Sequence, residues 1–176
     1  MGCGMAWEMS HRAANRSRLI ADRHYNRQKI GTPQFVPPGR CLVLHADTVT
    51  GKALWVTSWP FAEFVKHDWA GAWMCSAFRN EGAGRASDLI RQAVAATRAY
   101  FGEPPEIGML TFIDRSQVKP VMCRGQPTWG RTWKLAGFRE IGETKQAGLL
   151  ALQLLPQDMP PPAYAINGQP TLWSAQ

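Results

Sequence analysis

The sequence lacks the features that mark membrane proteins and disulfide-rich secreted proteins. No apolar run approaches the length of about 18 residues that a membrane-spanning helix needs, and the first residues carry no signal-peptide pattern. The four cysteines, Cys3, Cys41, Cys75 and Cys123, form neither a CxxC pair nor a zinc-finger spacing. We therefore expect a reduced, cytoplasmic protein without a membrane-bound part, a disulfide framework or a zinc module.

The chain also lacks internal repeats and low-complexity arrays, so its 176 residues are predicted to form one domain. Acidic residues are the scarcer charged group: 13 stand against 20 lysines and arginines, which gives a net charge of +7. This excess favours a polyanionic partner such as nucleic acid, although in basic proteins it serves solubility as often. Eight tryptophans, several beside basic residues, favour nucleic acid because indole rings stack on bases.

Apolar periodicity and glycine or proline breaks predict a mixed domain. Helices are predicted near 10–22 with Ser10 as N-cap, from the glycines at 82 and 84 to residue 101, and over 127–136. Strands are predicted over 41–46, 53–58, 70–79 and 106–114, and in two runs between 138 and 156. This order predicts an α/β (α+β) fold, a mostly antiparallel sheet flanked by helices, in a single domain over 1–156. The proline-rich tail, 157–176, is expected to lie on the surface or to be disordered.

The stretch RNEGAG, residues 79–84, lies between a predicted strand and a predicted helix. Glycines at a helix start let backbone N–H groups approach a pyrophosphate, and the helix dipole favours negative charge. Gly82 and Gly84 are therefore candidate phosphate-binding residues, and Arg85 and Ser87 could serve the same phosphate. The alternative is that the two glycines only supply a tight turn.

A second candidate site combines three side chains that are distant in sequence. His24 and Tyr25 lie in a basic, proline-stiffened loop over 22–40, and Asp114 ends a predicted strand. Imidazole, phenol and carboxylate suit iron(II) or another transition metal, or proton transfer near a base. The alternative is that His24 and Tyr25 pack at a helix end while Asp114 caps the next loop. His11, His45 and His67 are weaker candidates.

Two clusters of cations and tryptophans are candidate DNA contacts. The first includes Arg23, Arg27 and Lys29, and the second places Lys119, Arg124, Arg131 and Lys134 around Trp129 and Trp133. Cations neutralise phosphates and an indole ring can hold an extruded base, so both clusters suit double-stranded DNA with one adenine extruded. The alternatives are solvated surfaces for the cations and a core anchor for the tryptophans.

The glycine turn and the segments after it resemble a known fold. RNEGAG, then a helix, a strand and AGFREIGET, is similar to the second half of the GCN5-related N-acetyltransferase (GNAT) arrangement. In that fold an R/Q-x-x-G-x-G/A turn cradles the pyrophosphate of coenzyme A. The resemblance implies that Arg79 bonds a phosphate, that Gly82 and Gly84 donate backbone N–H groups, and that the cofactor is acetyl-CoA or a related acyl donor.

Nearly the whole chain, from about Ala21 to Pro156, resembles the Mom-like family of phage DNA-modification proteins. The run H-Y-x-R-x-x-x-G-x-x-Q-F-x-P-P-G, which begins at His24, carries the resemblance most specifically. It implies a GNAT-like fold and an enzyme that converts adenine in phage DNA to N6-carbamoylmethyladenine, which blocks host restriction enzymes. It also places His24, Tyr25 and Asp114 in an active centre that holds iron.

The resemblance leaves three points open. A carbamoylmethyl group joins nitrogen through an sp³ carbon, so the donor is unusual or a second step follows acyl transfer. The rival functions are an N-acetyltransferase for a small amine or a protein, and a non-catalytic DNA-binding protein of the same fold. The expected location is the host cytoplasm, and the oligomeric state is open, a homodimer being one option.

Overall fold

A mixed sheet organises the chain, and helices pack on both of its faces. The computed structural model describes residues 4–60, 65 and 68–169. The strands are β1 (Trp7–Met9), β2 (Arg40–Asp47), β3 (Lys52–Trp59), β4 (Trp73–Glu81), β5 (Met109–Ile113), β6 (Val121–Cys123), β7 (Gln126–Thr128), β8 (Arg139–Glu143) and β9 (Leu150–Leu154). The helices are α1 (Asn15–Ala21), α2 (Ala86–Phe101) and α3 (Arg131–Leu135), and a 3-10 turn covers Pro156–Asp158.

The strand order is β1-β2-β3-β4-β5-β9-β8, and β6 and β7 form a separate two-stranded ribbon. Among the named strands of the described residues, β4 and β5 are the one parallel pair, and every other pair is antiparallel. Two isolated bridges, Glu8 with Ile166 and Lys52 with Gly82, are also parallel. The prediction of a mixed α+β domain with a mostly antiparallel sheet and flanking helices is confirmed.

Two apolar cores lie on the two faces of the sheet because side chains alternate along its strands. On β2, Leu44 joins the core beneath α2 with Trp55 and Ile90, whereas Val43 joins the core beneath α1 with Ile20. All five side chains are at most 2% exposed. Burial of each large apolar side chain is worth roughly 1.5–3 kcal/mol, so both helices are held by packing more than by helix propensity.

Helix α2 follows the prediction closely. Its apolar positions, among them Ile90, Ala93 and Val94, are buried in the core, and Gly102 ends it with a φ of 88° and a backbone N–H that donates to the Arg98 carbonyl. Glycine adopts this positive φ without the steric penalty that a Cβ would bring.

Strands β4 and β5 diverge after a short paired stretch. Cys75 and Thr111 are the last residues of the two strands that pair, and from there β4 continues to Glu81 paired with β3 alone. Val56 pairs with Ala77 and the next residue pairs with Cys75, so Ser76 is an extra, bulged residue. A bulge bends its strand, and here it lies where the two strands separate.

The predicted start of the first helix was wrong. Ser10, the predicted N-cap, donates its backbone N–H to Val43 and so extends the pairing of β1 with β2. Helix α1 therefore begins only at Asn15.

The predicted helix over 127–136 is wrong in its first half. Residues 126–128 form β7, and Gly130, with a φ of 70°, precedes the short helix α3. A three-residue strand such as β1, β6 or β7 carries too few residues to show a period, which is why all three were missed.

The described part of the tail packs against the rest of the domain. Met159 and Ala165 are buried, and the Ile166 N–H donates to the Trp7 carbonyl at 2.8 Å. Residues 170–176 lie outside the described residues, as do Cys3 and His67. Within the described ranges, no helix has the length and apolar character needed to cross a membrane.

Candidate active site

The segment that follows α1 crosses the opening between β4 and β5. Asn26 Nδ2 donates to the Ser76 carbonyl at 2.7 Å, on the β4 side. The Tyr25 hydroxyl donates to the Phe112 carbonyl at 3.5 Å, on the β5 side. Diverged strands leave backbone groups that need partners, and the side chains of this segment supply them. The His24-Tyr25-Asn26 run is therefore the bridge between the two strands.

His24 is half-buried on this bridge and stacks on Tyr25, with ring centroids 4.6 Å apart. Burial lowers the pKa of His24 and the nearby Arg79 charge lowers it further, while the hydrogen bond with Asn26 opposes them. The imidazole is therefore neutral at pH 7 and can accept a proton.

Tyr25 is 41% exposed and faces the opening. Its partial burial raises the pKa of the phenol above 10.0, and the Asp114 carboxylate also raises it, against a backbone hydrogen bond from Asp114. Tyr25 therefore keeps its proton at neutral pH and acts as a donor.

Asp114 has a structural role at the end of β5. Its Oδ1 accepts hydrogen bonds from the Ser116 hydroxyl at 2.6 Å and from the Ser116 N–H at 2.9 Å. These bonds, together with the N–H of Gln117, lower the pKa of the carboxyl. These contacts are those of a residue that caps the loop after its strand, which was the alternative to a catalytic role. The Asp114 carboxylate also acts electrostatically on Tyr25.

The iron that the resemblance assigns to His24, Tyr25 and Asp114 stays a prediction. Among the described residues, no three His, Cys, Asp or Glu side chains are grouped so that they could hold an ion. His24 Nδ1 faces the Asn26 side-chain oxygen, and Asp114 Oδ1 binds Ser116. One potential donor atom of His24 and one of Asp114 are thus already engaged by protein groups.

A cavity of about 400 Å³, here called the β4–β5 cavity, lies in the opening. His24 and Tyr25 both line it. Asn80 and Ala86 line the end next to the glycine turn, and the other end lies against the β6–β7 ribbon and α3. The lining side chains of that second end include Val121, Thr128, Trp129, Arg131 and Trp133. Its volume falls in the range of small-molecule sites.

A second cavity of about 860 Å³, the loop cavity, lies beneath the proline-rich loop. Four residues line both cavities: His24, Asn26, Ser76 and Ala77. The two spaces therefore meet at the bridge, on the side of the β4 bulge.

The glycine turn adopts a backbone that needs glycine. Gly82 has a φ of 88°, and a Cβ there would lie 3.1 Å from the Thr50 carbonyl oxygen. The Asn80 side chain binds the Ala83 N–H and the Gly84 carbonyl, at 2.9 and 2.8 Å. The turn is thus rigid, and it leads into the first turn of α2. There the Asp88 N–H donates to the Arg85 carbonyl, and the N–H groups of Ala86 and Ser87 come before this first bond of the helix.

Arg79 is engaged by protein groups. Its Nε donates to Glu81 at 2.6 Å and its Nη1 to the Arg23 carbonyl at 2.7 Å. Arg23 binds the same carboxylate through two nitrogens, at 2.7 and 2.6 Å. Chiefly through the Arg23 hydrogen bonds, the two guanidinium groups lower the pKa of Glu81 to about 2. Any phosphate at Arg79 would compete with Glu81, a residue that the sequence analysis missed.

The other predicted phosphate residues differ in access. Arg85 is exposed at the start of α2, whereas Ser87 is 4% exposed and belongs to the buried face of that helix. Of the predicted catalytic and phosphate-binding residues, His24, Tyr25 and Arg79 line the β4–β5 cavity. The lining does not include Gly82, Gly84, Arg85, Ser87 or Asp114.

Arg27 and Lys29 contribute in different ways. The Arg27 side chain is 10% exposed, and its guanidinium binds Asp22, the Thr32 carbonyl and the Gln34 carbonyl. It therefore ties the loop together. Lys29 is exposed and lines the loop cavity.

The two tryptophans at the far end of the β4–β5 cavity are half-buried. Trp133 packs in an aromatic cluster with Trp55, Phe78 and Phe138, at centroid distances of 5.0–5.8 Å. Trp129 donates from Nε1 to the Val118 carbonyl at 2.8 Å. Both are anchored by protein contacts, and both also line the cavity.

The cations around these tryptophans differ in their pairing. Lys134 is paired with Glu140 at 2.9 Å and Arg115 with Glu143 at 2.6 Å. For Lys119, Arg124 and Arg131, the described part of the chain offers no ion pair.

Two further residues of the site, Asn26 and Ser76, could not be identified from the sequence. Asn26 reads as an ordinary loop residue, and Ser76 lies within an apolar strand pattern. Their importance depends on the divergence of β4 and β5, which is a tertiary property.

Comparison of the chain with protein-family models, with curated proteins and with solved structures found no match.

Proposed function

We propose that this protein is a Mom-like transferase of GNAT-like fold that modifies the N6 amine of adenine in DNA. One observation carries the proposal: His24 and Tyr25 bridge two diverging strands, β4 leading to a phosphate-suited turn and β5 to an aromatic, basic surface. A group-transfer enzyme must bring donor and acceptor together at one point, and the β4–β5 cavity offers that geometry.

The glycine-turn end of the cavity suits the donor. The N–H groups at the start of α2 and the exposed Arg85 would hold the pyrophosphate of an acyl-CoA-type donor. Its reactive arm would then run along the cavity, past Asn80 and Ala86, to the bridge. Strands β4 and β5 form the one parallel pair among the named strands of the described residues, and the rigid glycine turn follows β4. This arrangement supports the GNAT-like fold.

The other end of the cavity suits the base. Tyr25 and Trp129 offer aromatic rings there, and Arg131 offers a cation without an acidic partner among the described residues. Because N6 takes part in the Watson–Crick pair, the adenine must leave the duplex before it reacts. The excess positive charge of the chain favours the DNA that presents it.

The two bridge side chains have complementary protonation states. As N6 attacks the donor carbon, neutral His24 accepts the proton that the amine loses. The bond from that carbon to the leaving group breaks, and protonated Tyr25 donates its proton to the leaving group. These are the acid and base that a transfer at neutral pH needs.

The test is mass spectrometry of nucleosides from the DNA of cells that express the protein. We expect a heavier deoxyadenosine with the wild type and at least about tenfold less of it with Tyr25→Phe, since general acid catalysis contributes that much or more. Tyr100→Phe is the control: Tyr100 is 50% exposed and lies 14 residues along α2 from Ala86, about 21 Å by helical rise.

Each rival function gives a different result in this experiment. Acetyl-CoA turnover without DNA, together with unmodified DNA, would identify an acetyltransferase for another amine. DNA binding with an unchanged nucleoside profile would identify a non-catalytic protein. Either result contradicts the proposal.

A further inference from the structure

The β6–β7 ribbon projects from the molecule beside the β4–β5 cavity. Its two strands are joined by Arg124 and Gly125, whose φ values of 49° and 77° form the tight turn that two-residue hairpins favour. All the residues of both strands are exposed except Thr128, which is half-exposed. An isolated two-stranded ribbon is only marginally stable, so folding alone does not account for it.

The ribbon has two different faces. Val121 and Thr128 are directly opposite each other and line the cavity. Because side chains alternate along a strand, Met122 and its cross-strand partner Pro127 lie on the face turned away from it. Met122 is 62% exposed, so this Met–Pro pair forms an apolar ridge in solvent.

The segment that carries the ridge is basic. From residue 115 to residue 134 the sequence contains five cations and no acidic residue. Two of them are paired with glutamates of β8, and the other three, Lys119, Arg124 and Arg131, have no ion pair among the described residues. Arg124 lies in the turn of the ribbon, whereas Lys119 and Arg131 line the cavity on its other side. An apolar ridge on a ribbon with such cations is complementary to stacked bases between two phosphate chains.

We propose that the Met122–Pro127 ridge inserts into duplex DNA and fills the space from which the adenine is extruded. This inference rests on the proposed function, because it assumes a DNA substrate. Proteins that distort DNA insert apolar side chains, methionine and proline among them, between base steps. The cavity face of the same ribbon would then receive the extruded base while its opposite face holds the duplex open.

The test measures unstacking without the donor. Purified protein is mixed with supercoiled plasmid and treated with permanganate, which oxidises unstacked thymines. Primer extension then maps the oxidised thymines across all sequence contexts of the plasmid. We expect discrete reactive thymines with the wild type and at least a fivefold weaker signal with Met122→Ser, since the wedge is lost. DNA affinity should change by less than about threefold, because phosphate contacts supply most of it.

Two variants make the result interpretable. Met122→Leu keeps an apolar wedge and should restore the signal, whereas Tyr100→Ser removes an exposed ring far from the cavity and should leave it at the wild-type level. Wild-type reactivity in Met122→Ser, or wild-type binding without reactive thymines, would overturn the wedge while leaving the DNA substrate intact. A wild type that does not bind DNA at all would overturn both the wedge and the proposed function.

Discussion

At the scale of single residues, two buried side chains have polar atoms without a hydrogen-bond partner among the described residues, the His45 imidazole and the Trp73 indole N–H. His45 lies in β2 at 0% exposure, and neither ring nitrogen has a hydrogen-bond partner among the described residues. Burial is the main cause that lowers the pKa of His45 below 6.5. The folded protein therefore holds this imidazole neutral while the unfolded chain protonates it as the pH falls.

His45→Leu should therefore stabilise the protein. Removing an unsatisfied buried polar group should raise the free energy of unfolding by roughly 1–3 kcal/mol at pH 7. The unfolded state binds the extra proton, so wild-type stability falls as the pH drops below about 6.5, and the advantage of His45→Leu should grow there. Urea unfolding at pH 7.5 and pH 5.5 measures both effects.

His11→Leu is the matched control, since His11 is exposed and its replacement should change little. A destabilised His45→Leu, or a gap between the two proteins that shrinks in acid, would show that the imidazole has a stabilising partner.

At the scale of elements, one glycine sets the position of α3 beneath the cavity. Gly130 has a φ of 70°, and a Cβ there would lie 2.6 Å from Leu152 Cδ1 and 3.1 Å from Ile113 Cδ1. The residue before α3 must therefore be glycine both for its backbone and for its close approach to β5 and β9.

Gly130→Ala should destabilise the protein by about 2 kcal/mol or more, because backbone strain of 1–3 kcal/mol adds to the clash. Gly31→Ala separates the two causes, since Gly31 has a φ of 81° and nothing within 4 Å of the added Cβ. Thermal melts should rank wild type above Gly31→Ala and Gly31→Ala above Gly130→Ala. Equal melting temperatures for the two variants would show that the apolar contacts at Gly130 relax freely.

The elements also show what the sequence could and could not predict. Helix α2 and the β2–β3 hairpin follow from local signals, a period of buried positions and a glycine at the end or in the turn. The sequence could single out His24 and Tyr25 as candidate site residues, but it could not predict that they and Asn26 bridge two strands. Its role depends on how β4 and β5 separate, and no local pattern encodes that separation.

The same limit applies to the charges. Arg23, Arg27 and Arg79 all read as cations available to phosphates, yet each binds a carboxylate of the protein. The partners, Glu81 and Asp22, are isolated acids in a basic context, and which cation each one binds is a tertiary property.

At the scale of the whole molecule, the carboxyl-terminal segment joins parts that are distant in the chain. Arg98 of α2 donates to the Pro160 carbonyl at 2.8 Å, and Ile166 exchanges backbone hydrogen bonds with β1, as donor to the Trp7 carbonyl and as acceptor from Met9. Burial of Met159 adds an apolar contact to the same core. This segment therefore holds both α2 and the edge strand β1.

A chain that ends at residue 156 should consequently be less stable than one that ends at residue 169. Loss of the Met159 contact, worth roughly 1.5–3 kcal/mol, and of hydrogen bonds worth about 1 kcal/mol each should lower the free energy of unfolding by at least about 3 kcal/mol. The comparison of these two chains in urea isolates residues 157–169, and Tyr164→Ser in the longer chain, at a 47% exposed side chain, should change little. Equal midpoints would mean that the sheet and α2 hold together without this segment, and that the domain ends at residue 156 as the sequence suggests.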